Sequence, residues 1–582
     1  MARLLALSLL AAFVALVLRS MHVISELRGP ELAQNKVMII GLDAATLDLV
    51  RAWAEEGRLP NLARFLREGA WGLLQSTLPV MSPAAWSTFA TGLNPGKHGI
   101  LNFYHFYPDR YEPRYVNASH RRGSTFWEVA GQQDVRGGII NVPVTYPARP
   151  YSGFLVAGML SPSLGPRMVH PPELLADLLA VSPDYMIDVD VVSGGNLDPE
   201  RFYRLTVRCL EARLEAALGL YRMHRPPLFC VVFTAADRVS HYFWPYHEAL
   251  MQGRARTEAE LTLGQALRSV YEKLDEAVGQ LMSEAGDDTD VVILSDHGAG
   301  PLRKGLNLRE LLIQEGLLAE VPRGAVRRAA ERAVWAFARK APPWLKSRIR
   351  TWFPGLSGRA AALVACKGID FSKTRAYPLG QSEGMFVNLK GRQPQGIVSP
   401  GAEYEQVRER IIRALVSLRD PETGQRIARG AYRREEVWSG PCTEDLPDVI
   451  MEQMEGCYDA PTFSEAHSAG VIYQLPEPDP TRYRRLGGHR RQGLLMAKGP
   501  HIRRAALVGA QIADVPATML ALLGCVIPED FDGRPLREML TGDVPAERRG
   551  AASGARTAPD REGHSEDEAA TVEQRLRGLG YV

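Results

Sequence analysis

Cysteine is scarce and scattered in this chain. Cys209, Cys230, Cys366, Cys442, Cys457 and Cys525 form no CxxC pair and no dense framework among 582 residues. That spacing excludes a structural zinc ribbon or a disulfide scaffold as the organising principle. A single pairing, such as Cys442 with Cys457, stays open, and so does the redox compartment. Net charge is nearly absent as well, since 69 Lys and Arg stand against 67 Asp and Glu for a balance of +2. No global electrostatic case for nucleic acid follows, and no nucleic-acid-binding module is expected. Internal repeats are missing.

What is present is ordinary for a globular chain, at 45% hydrophobic and 23% charged residues. The length is compatible with about two to four domains. The apolar run at residues 4–18, between Arg3 and Arg19, has the length of a signal-peptide core. It falls short of the roughly 20 residues of a spanning helix. Val17-Leu18-Arg19-Ser20 offers no small-x-small cleavage site, so over residues 1–20 an uncleaved signal anchor competes with a cleaved signal peptide. Arg19, Arg28 and Lys36 follow the run and weaken any orientation rule. The expectation is export, with the globular part periplasmic, extracytoplasmic or anchored at the membrane. Charge is uneven in one place. From Arg323 to Arg350 nine basic residues accompany the single acidic Glu331, with Trp335 and Trp344 among them and Trp352 beyond. This stretch reads as an inserted helical subdomain, either a solvated lid or a basic face toward acidic lipid headgroups.

In chain order, residues 36–43 (KVMIIGLD) read as a buried parallel strand ending in Asp43. Ligands of open α/β sheets gather beyond the carboxyl ends of strands, so Asp43 is either a site residue or the cap of the next segment. Residues 59–66 are helical in pattern. In the run LPVMSPAAWSTFATGLNPGKHGI at 78–100, Ser82-Pro83 favours turn initiation and 84–90 a helix with Pro83 in its first turn. Ser82 then stands at or near the N-cap. It is either an ordinary cap or a nucleophile where orphan amides and the helix dipole favour phosphate.

Short apolar runs at 137–141 and 154–157 flank the Pro-punctuated loop 142–147. An amphipathic helix over 199–224 leads into a strand at 227–233. Asp237 and His241 follow, four apart and on one face of a helical turn, a spacing suited to holding a metal ion. A helix over 259–285 stops near Gly286, and the strand 290–295 runs into Asp296-His297-Gly298, where Gly298 permits a tight turn. Beyond it the pattern predicts a helix over 306–318, strands within 369–390, a helix over 404–418 and a turn at 420–424. A strand at 446–450 follows, then Gly487-Gly488-His489 before a strand at 493–497, and a helix over 512–523. Residues 543–570 read as a flexible linker, and 572–582 as a short amphipathic end that docks on the body.

Collected, Asp43, Ser82, Asp237, His241, Asp296, His297 and His489 all fall at turns or strand ends. Three Asp, three His and a hydroxyl are the ligand types expected for two zinc-like ions. In this arrangement the chain resembles the alkaline phosphatase superfamily, in its type I phosphodiesterase/nucleotide pyrophosphatase family. More narrowly it is similar to the bacterial predicted phosphohydrolase/phosphomutase group. The resemblance spans about 36–540 and rests on ordered motifs: GLDAAT at 41–46, PVMSPAAWSTFATGLNPGKHGI at 79–100, TFWEV at 125–129, INVPVTYP at 140–147, DRVSH at 237–241, SDHGAGPLRKG at 295–305, GGHRRQG at 487–493 and ADVPATMLALLGCVIPEDFDGRPL at 513–536.

The resemblance implies an α/β fold with an alkaline-phosphatase-like core, a mostly parallel central sheet with helices on both faces, and an inserted helical lid. The core would run over 36–310 and 369–540 around a basic lid at 311–368, followed by a linker at 541–571 and a docking segment at 572–582. Ser82 takes the nucleophile position, nine residues before Thr91 of the TGL motif. Asp43, Asp296 and His297 with the Ser82 oxygen would hold one divalent ion, and Asp237, His241 and His489 the other. Zn2+ is the expected metal, and Mn2+ can share such ligands. Asn102 is the nearest counterpart of an asparagine that nucleotide pyrophosphatases place near the oxyanion, though its register differs and a plain loop asparagine is the other reading. Lys97 and His98 read as turn residues. Lys304 is either a surface lysine or a contact to a substrate phosphate.

The implied activity is two-metal-dependent hydrolysis of phosphate esters through a phosphoseryl intermediate. A phosphomutase or phosphotransferase, passing the phosphoryl group to a second hydroxyl, is the alternative. A sulfatase needs a modified Cys or Ser followed by x-Pro-x-x-Arg, whereas here Pro83 directly follows Ser82 and no Arg completes the pattern. The expected partners are a phosphate-ester substrate and the membrane, through the N-terminal run and the basic insert. The leaving group, whether nucleotide, lipid headgroup, sugar or alkyl, is not encoded in these motifs.

Overall fold

The computed structural model describes residues 35–581 apart from 106, 108, 112–113, 190–197, 322–367, 379–383, 455–457, 460–469, 482–483, 543–548, 552–562 and 580. The N-terminal run, nearly all of the basic insert, Cys457 and most of the expected linker therefore lie outside the described residues. Among the described residues no helix is long and apolar enough to cross a membrane.

Nine strands build the main sheet: β1 (Lys36–Leu42), β2 (Ala70–Gln75), β3 (Gly137–Ile140), β4 (Gly153–Val156), β5 (Val169–His170), β6 (Leu228–Phe233), β7 (Thr289–Leu294), β8 (Gln492–Lys498) and β9 (Ala505–Gln511). Their spatial order is β9-β2-β8-β7-β1-β6-β3-β4-β5. The block β7-β1-β6-β3-β4 is parallel throughout. Strand β8 runs antiparallel between β2 and β7, and β5 is an antiparallel edge. Every residue of β6 and β7, and all of β1 except Lys36, is buried. This is why those strands read as continuous apolar runs: a sheet covered on both faces has no solvent side to mark with polar residues. The expected α/β architecture, a mostly parallel sheet flanked by helices, is the one observed.

The helices that matter for the site are α1 (Ser82–Thr91), α2 (Pro199–His224), α3 (Ala235–Met251) and α4 (Glu258–Ala285). Three more follow: α5 (Ala402–Ser417), α6 (Asp514–Leu522) and α7 (Glu566–Gly578). Local chemistry sets their ends. Asp198 caps α2 ahead of Pro199, and Thr257 and Glu260 form a reciprocal capping box at the start of α4. A helix expected over 306–318 is only Leu308–Gln314, because Lys304–Leu306 joins a small sheet and Gly316 turns at φ 61°.

A second hydrophobic cluster lies apart from the main one. The antiparallel strands Ala376–Pro378, Gly384–Val387, Val449–Gln453 and Ala428–Arg433 carry it together with α5. Leu78 and Leu101, on either side of the Ser82 stretch, belong to this cluster, and Trp438 Nε1 donates to Leu78 O at 3.0 Å. The small sheet thus braces the segment that presents Ser82. After α6 the chain returns through α7, whose Val572 and Leu576, with Leu579 and Tyr581 beyond it, are buried in the main cluster. α7 begins at Glu566 behind a Ser565–Glu568 capping box, so helix replaces the last residues expected as linker.

Candidate active site

The carboxyl ends of β1, β6 and β7 bring five of the site's side chains to one place, and a further strand adds a sixth. Asp43 directly follows β1, and its amide continues the ladder to Phe233 O at 2.9 Å. Ala44 then takes a left-handed φ of 61° and turns the chain away. After β6, α3 carries Asp237 and His241 one turn apart. After β7, Ser295 ties the chain down by donating to Ala45 O at 2.8 Å, and Asp296 and His297 follow. His489 arrives on Gly487–Arg490, which pairs antiparallel with Gly298–Pro301 and sets His489 opposite Ala299. Gly487 is required there, because a Cβ would lie 1.9 Å from Ser240 O on α3.

Ser82 is the first residue of α1, one position inside the helix rather than its cap. The N-cap is Met81, which makes no side-chain cap. Ser82 is buried, and its Oγ lies 3.1 Å from His297 Nε2.

The three imidazoles share one orientation. Each Nδ1 faces a backbone carbonyl: His241 to Gly487 O at 2.8 Å, His297 to Gly298 O at 3.1 Å and His489 to Val80 O at 3.0 Å. A proton on Nδ1 satisfies each carbonyl and leaves the Nε2 lone pair pointing inward. Arg485 Nε also lies 3.2 Å from His241 Nδ1 and cannot donate to it while that proton is present. The Nε2 atoms converge on the carboxylates. His241 and His489 reach Asp237 Oδ1 at 3.2 and 3.3 Å, and His297 reaches Asp296 Oδ2 at 3.2 Å and Asp43 Oδ1 at 3.8 Å.

Electrostatics make this a demanding place for charge. Burial, then the neighbouring Asp296 and Asp237, raises the Asp43 carboxyl well above its usual range. Burial and Asp237 push Asp296 up to about 8. Burial acts to raise Asp237 too, but His241, His489 and Arg238 outweigh it and hold that group low. Burial and the facing His297 bring His489 down to about 3. One oxygen of each carboxylate, Asp43 Oδ1, Asp237 Oδ1 and Asp296 Oδ2, is buried and accepts no hydrogen bond. Buried carboxylate oxygens in that state are costly unless a cation meets them. Two sets have ligand atoms within 4.8 Å of one another: Asp43, Asp296 and His297, and Asp237, His297 and His489. His241 stands beside the second set, and His297 is common to both. The residues present fit a pair of divalent cations, by donor type and by their orphaned oxygens.

All seven residues singled out in sequence are thus brought together. Asn102 is buried, and its Oδ1 accepts the amide of Phe103 at 2.6 Å, a local contact. Lys97 is bound to Asp532 and to Asp530 O, and His98 to Thr88 Oγ1, as turn residues would be. Lys304 is held by Asp420 and Glu422 at 2.8 and 2.7 Å. Three neighbours went unnoticed in the sequence. Trp86 Nε1 donates to Asp43 Oδ2 at 3.2 Å, and Arg238 and Tyr581 both donate to Asp237 Oδ2. Arg238 lies inside the DRVSH motif, and Trp86 is one helical turn after Ser82. No local signal points to Tyr581.

The model of the type I phosphodiesterase / nucleotide pyrophosphatase family matches residues 37–460, which includes every one of the seven except His489. The fold is similar to solved structures of phosphonoacetate hydrolase from Sinorhizobium meliloti 1021. Its complex with phosphonoacetate is 15% identical, covers 83% of this chain and 94% of that chain, and superposes with a TM-score of 0.50. Its complex with phosphonoformate gives 14%, the same coverages and 0.49. No curated protein matches the chain in sequence. With most of its length matched in the family's own terms, the chain belongs to the type I phosphodiesterase / nucleotide pyrophosphatase family and is a phosphoric ester hydrolase.

Proposed function

We propose that this enzyme hydrolyses phosphate esters with Ser82 as nucleophile and two divalent ions as cofactors. Asp43, Asp296 and His297 with the Ser82 oxygen would hold one ion, and Asp237, His241 and His489 the other. A set of imidazoles and carboxylates suits Zn2+, with Mn2+ as the second choice. The observation that carries this reading is the buried Ser82 Oγ, 3.1 Å from His297 Nε2 beside carboxylate oxygens that lack any hydrogen bond. When bound, the metal pair supplies activation of a hydroxyl that is otherwise a poor nucleophile, and charge stabilisation for the attacking and leaving oxygens.

The chain's own residues do the rest. Ser82 Oγ bonds to phosphorus as the bond to the ester oxygen breaks, the serine proton passes through solvent to that oxygen, which leaves as the alcohol, and a phosphoseryl group remains on α1. Water then attacks that phosphorus from the opposite side, one of its protons returning to Ser82 Oγ, and the product leaves as phosphate from a monoester or as a phosphomonoester from a diester. The first turn of α1 lends unpaired amides and the positive end of its dipole to the same phosphoryl group. Asn102 is assigned the role of donor to a non-bridging oxygen. Trp86 and the three carbonyl-bound imidazoles keep the inward atoms in place through the cycle.

The test is turnover of p-nitrophenyl phosphate and bis-p-nitrophenyl phosphate by metal-reconstituted protein. Ser82→Ala is expected to lower kcat by at least about 10³-fold. Wild-type turnover in that variant sinks the proposal. The ratio between the two substrates reports mono- against diester preference.

A further inference from the structure

We propose that Tyr581, beyond the end of α7, belongs to the active site as a positioning residue that holds Asp237 ready for its metal ion. This rests on the reading of Asp237 as a metal ligand.

The two oxygens of Asp237 have different surroundings. Oδ2 accepts from the Tyr581 hydroxyl and from Arg238 Nη1. Oδ1 accepts no hydrogen bond and faces the Nε2 atoms of His241 and His489. A carboxylate fixed through one oxygen keeps the other aimed at the site, which is how partners behind a ligand raise metal affinity. Arg238 is itself committed on its far side. Its Nε and Nη2 reach the two oxygens of Asp188 at 3.0 and 2.5 Å, and its Nη1 donates to the Tyr581 hydroxyl at 2.8 Å. Tyr581, Arg238 and Asp237 therefore close a ring of hydrogen bonds in which the phenol oxygen accepts from the guanidinium and donates to the carboxylate.

The delivery of Tyr581 is equally specific. Glu568 of α7 accepts from Tyr146 and Arg167 at 2.5 and 2.7 Å, and Arg575 donates to Ser161 O and Pro162 O at 2.5 and 3.2 Å. Beyond the helix, Leu579 O accepts from the hydroxyl of Tyr242 at 2.7 Å, and Tyr581 N closes a turn onto Leu576 O at 2.9 Å. α3, which carries Asp237 and His241, is thereby clasped at two points by residues more than three hundred positions later. The Tyr581 ring rests on Phe103, with centroids 4.8 Å apart, and a phenylalanine would fill that space as well. The hydroxyl is needed for Asp237, not for packing.

The experiment uses the full chain, stripped of metal and titrated with Zn2+ against a chromophoric chelator, alongside thermal melting of the metal-free protein. Tyr581→Phe is expected to weaken one of the two Zn2+ sites by about 10- to 100-fold. Tyr242→Phe removes the other clasp without touching Asp237, and is expected to lower the melting temperature at least as much while leaving Zn2+ affinity at the wild-type value. Wild-type affinity in Tyr581→Phe overturns the proposal, and so does an equal loss of affinity in both variants. Asp237→Asn separates the two levels of inference. Loss of one Zn2+ per chain upholds Asp237 as a ligand whatever Tyr581 does, whereas two Zn2+ bound at wild-type affinity removes the ground beneath both.

Discussion

A serine at a helix N-cap ordinarily spends its oxygen on the helix's own amides, and Ser82 stands one position past that place. Ser82 turns its Oγ to His297 instead, and the helix start is left without a side-chain cap. The same economy holds around it, where each carboxylate has one anchored and one open oxygen. Asp43 is held through Oδ2 by Trp86, leaving Oδ1 open. Trp86→Phe keeps the ring packing and removes that donor. It is expected to lower kcat/KM by about tenfold and stability by about 1 kcal/mol, measured by steady-state kinetics and urea unfolding. Unchanged kinetics would detach Asp43 from the chemistry. The strand-end Asp and His residues were legible because apolar periodicity locates strand ends and short motifs follow them. Trp86 and Tyr581 were not, since their partners lie 43 and 344 positions away and no local pattern encodes such pairs.

At the scale of elements, periodicity served the long segments well. α2 spans the same residues in sequence pattern and structure, and β1, β6 and β7 differ from it by a residue or so. The shortfalls have local causes, such as the 306–318 helix cut at both ends by a strand and a glycine turn. α7 carries a testable element of its own. Burial pushes Glu573 up to about 7, with Arg577 and Tyr115 opposing, and its Oε2 accepts no hydrogen bond. Tyr104 beside Tyr115 completes the groups facing it. A raised carboxyl means that the folded chain keeps a proton the unfolded chain has lost. Its contribution is therefore present below the unfolded value near 4.3 and disappears as pH rises through about 7. Glu573→Gln is expected to melt above wild type at pH 8, with the gap closing toward pH 5. A gap independent of pH would contradict this.

Over the whole molecule, two hydrophobic clusters meet at the Ser82 stretch, and the sheet is completed by strands far apart in sequence. β8, which begins at Gln492, inserts between β2 and β7. That order was not legible, because a buried strand looks the same wherever in the sheet it lies, and pairing over such distances leaves no local trace. The fold also gathers three buried carboxylates whose open oxygens meet the Nε2 atoms of His241, His297 and His489, so bound metal is expected to stabilise the whole chain. Chelation should lower the melting temperature by the equivalent of about 3–4 kcal/mol for each ion present at 100 to 1,000 times its dissociation constant. Scanning calorimetry with and without a chelator checks it, and an unchanged transition would count against the metal site. The most direct measurement concerns Ser82 itself. Rapid acid quench of the enzyme with a phosphate ester, followed by peptide mapping, should place a phosphoryl group on Ser82 in wild type and none in Ser82→Ala. A labelled peptide elsewhere, or Ser82→Ala turning over at the wild-type rate, would contradict the account.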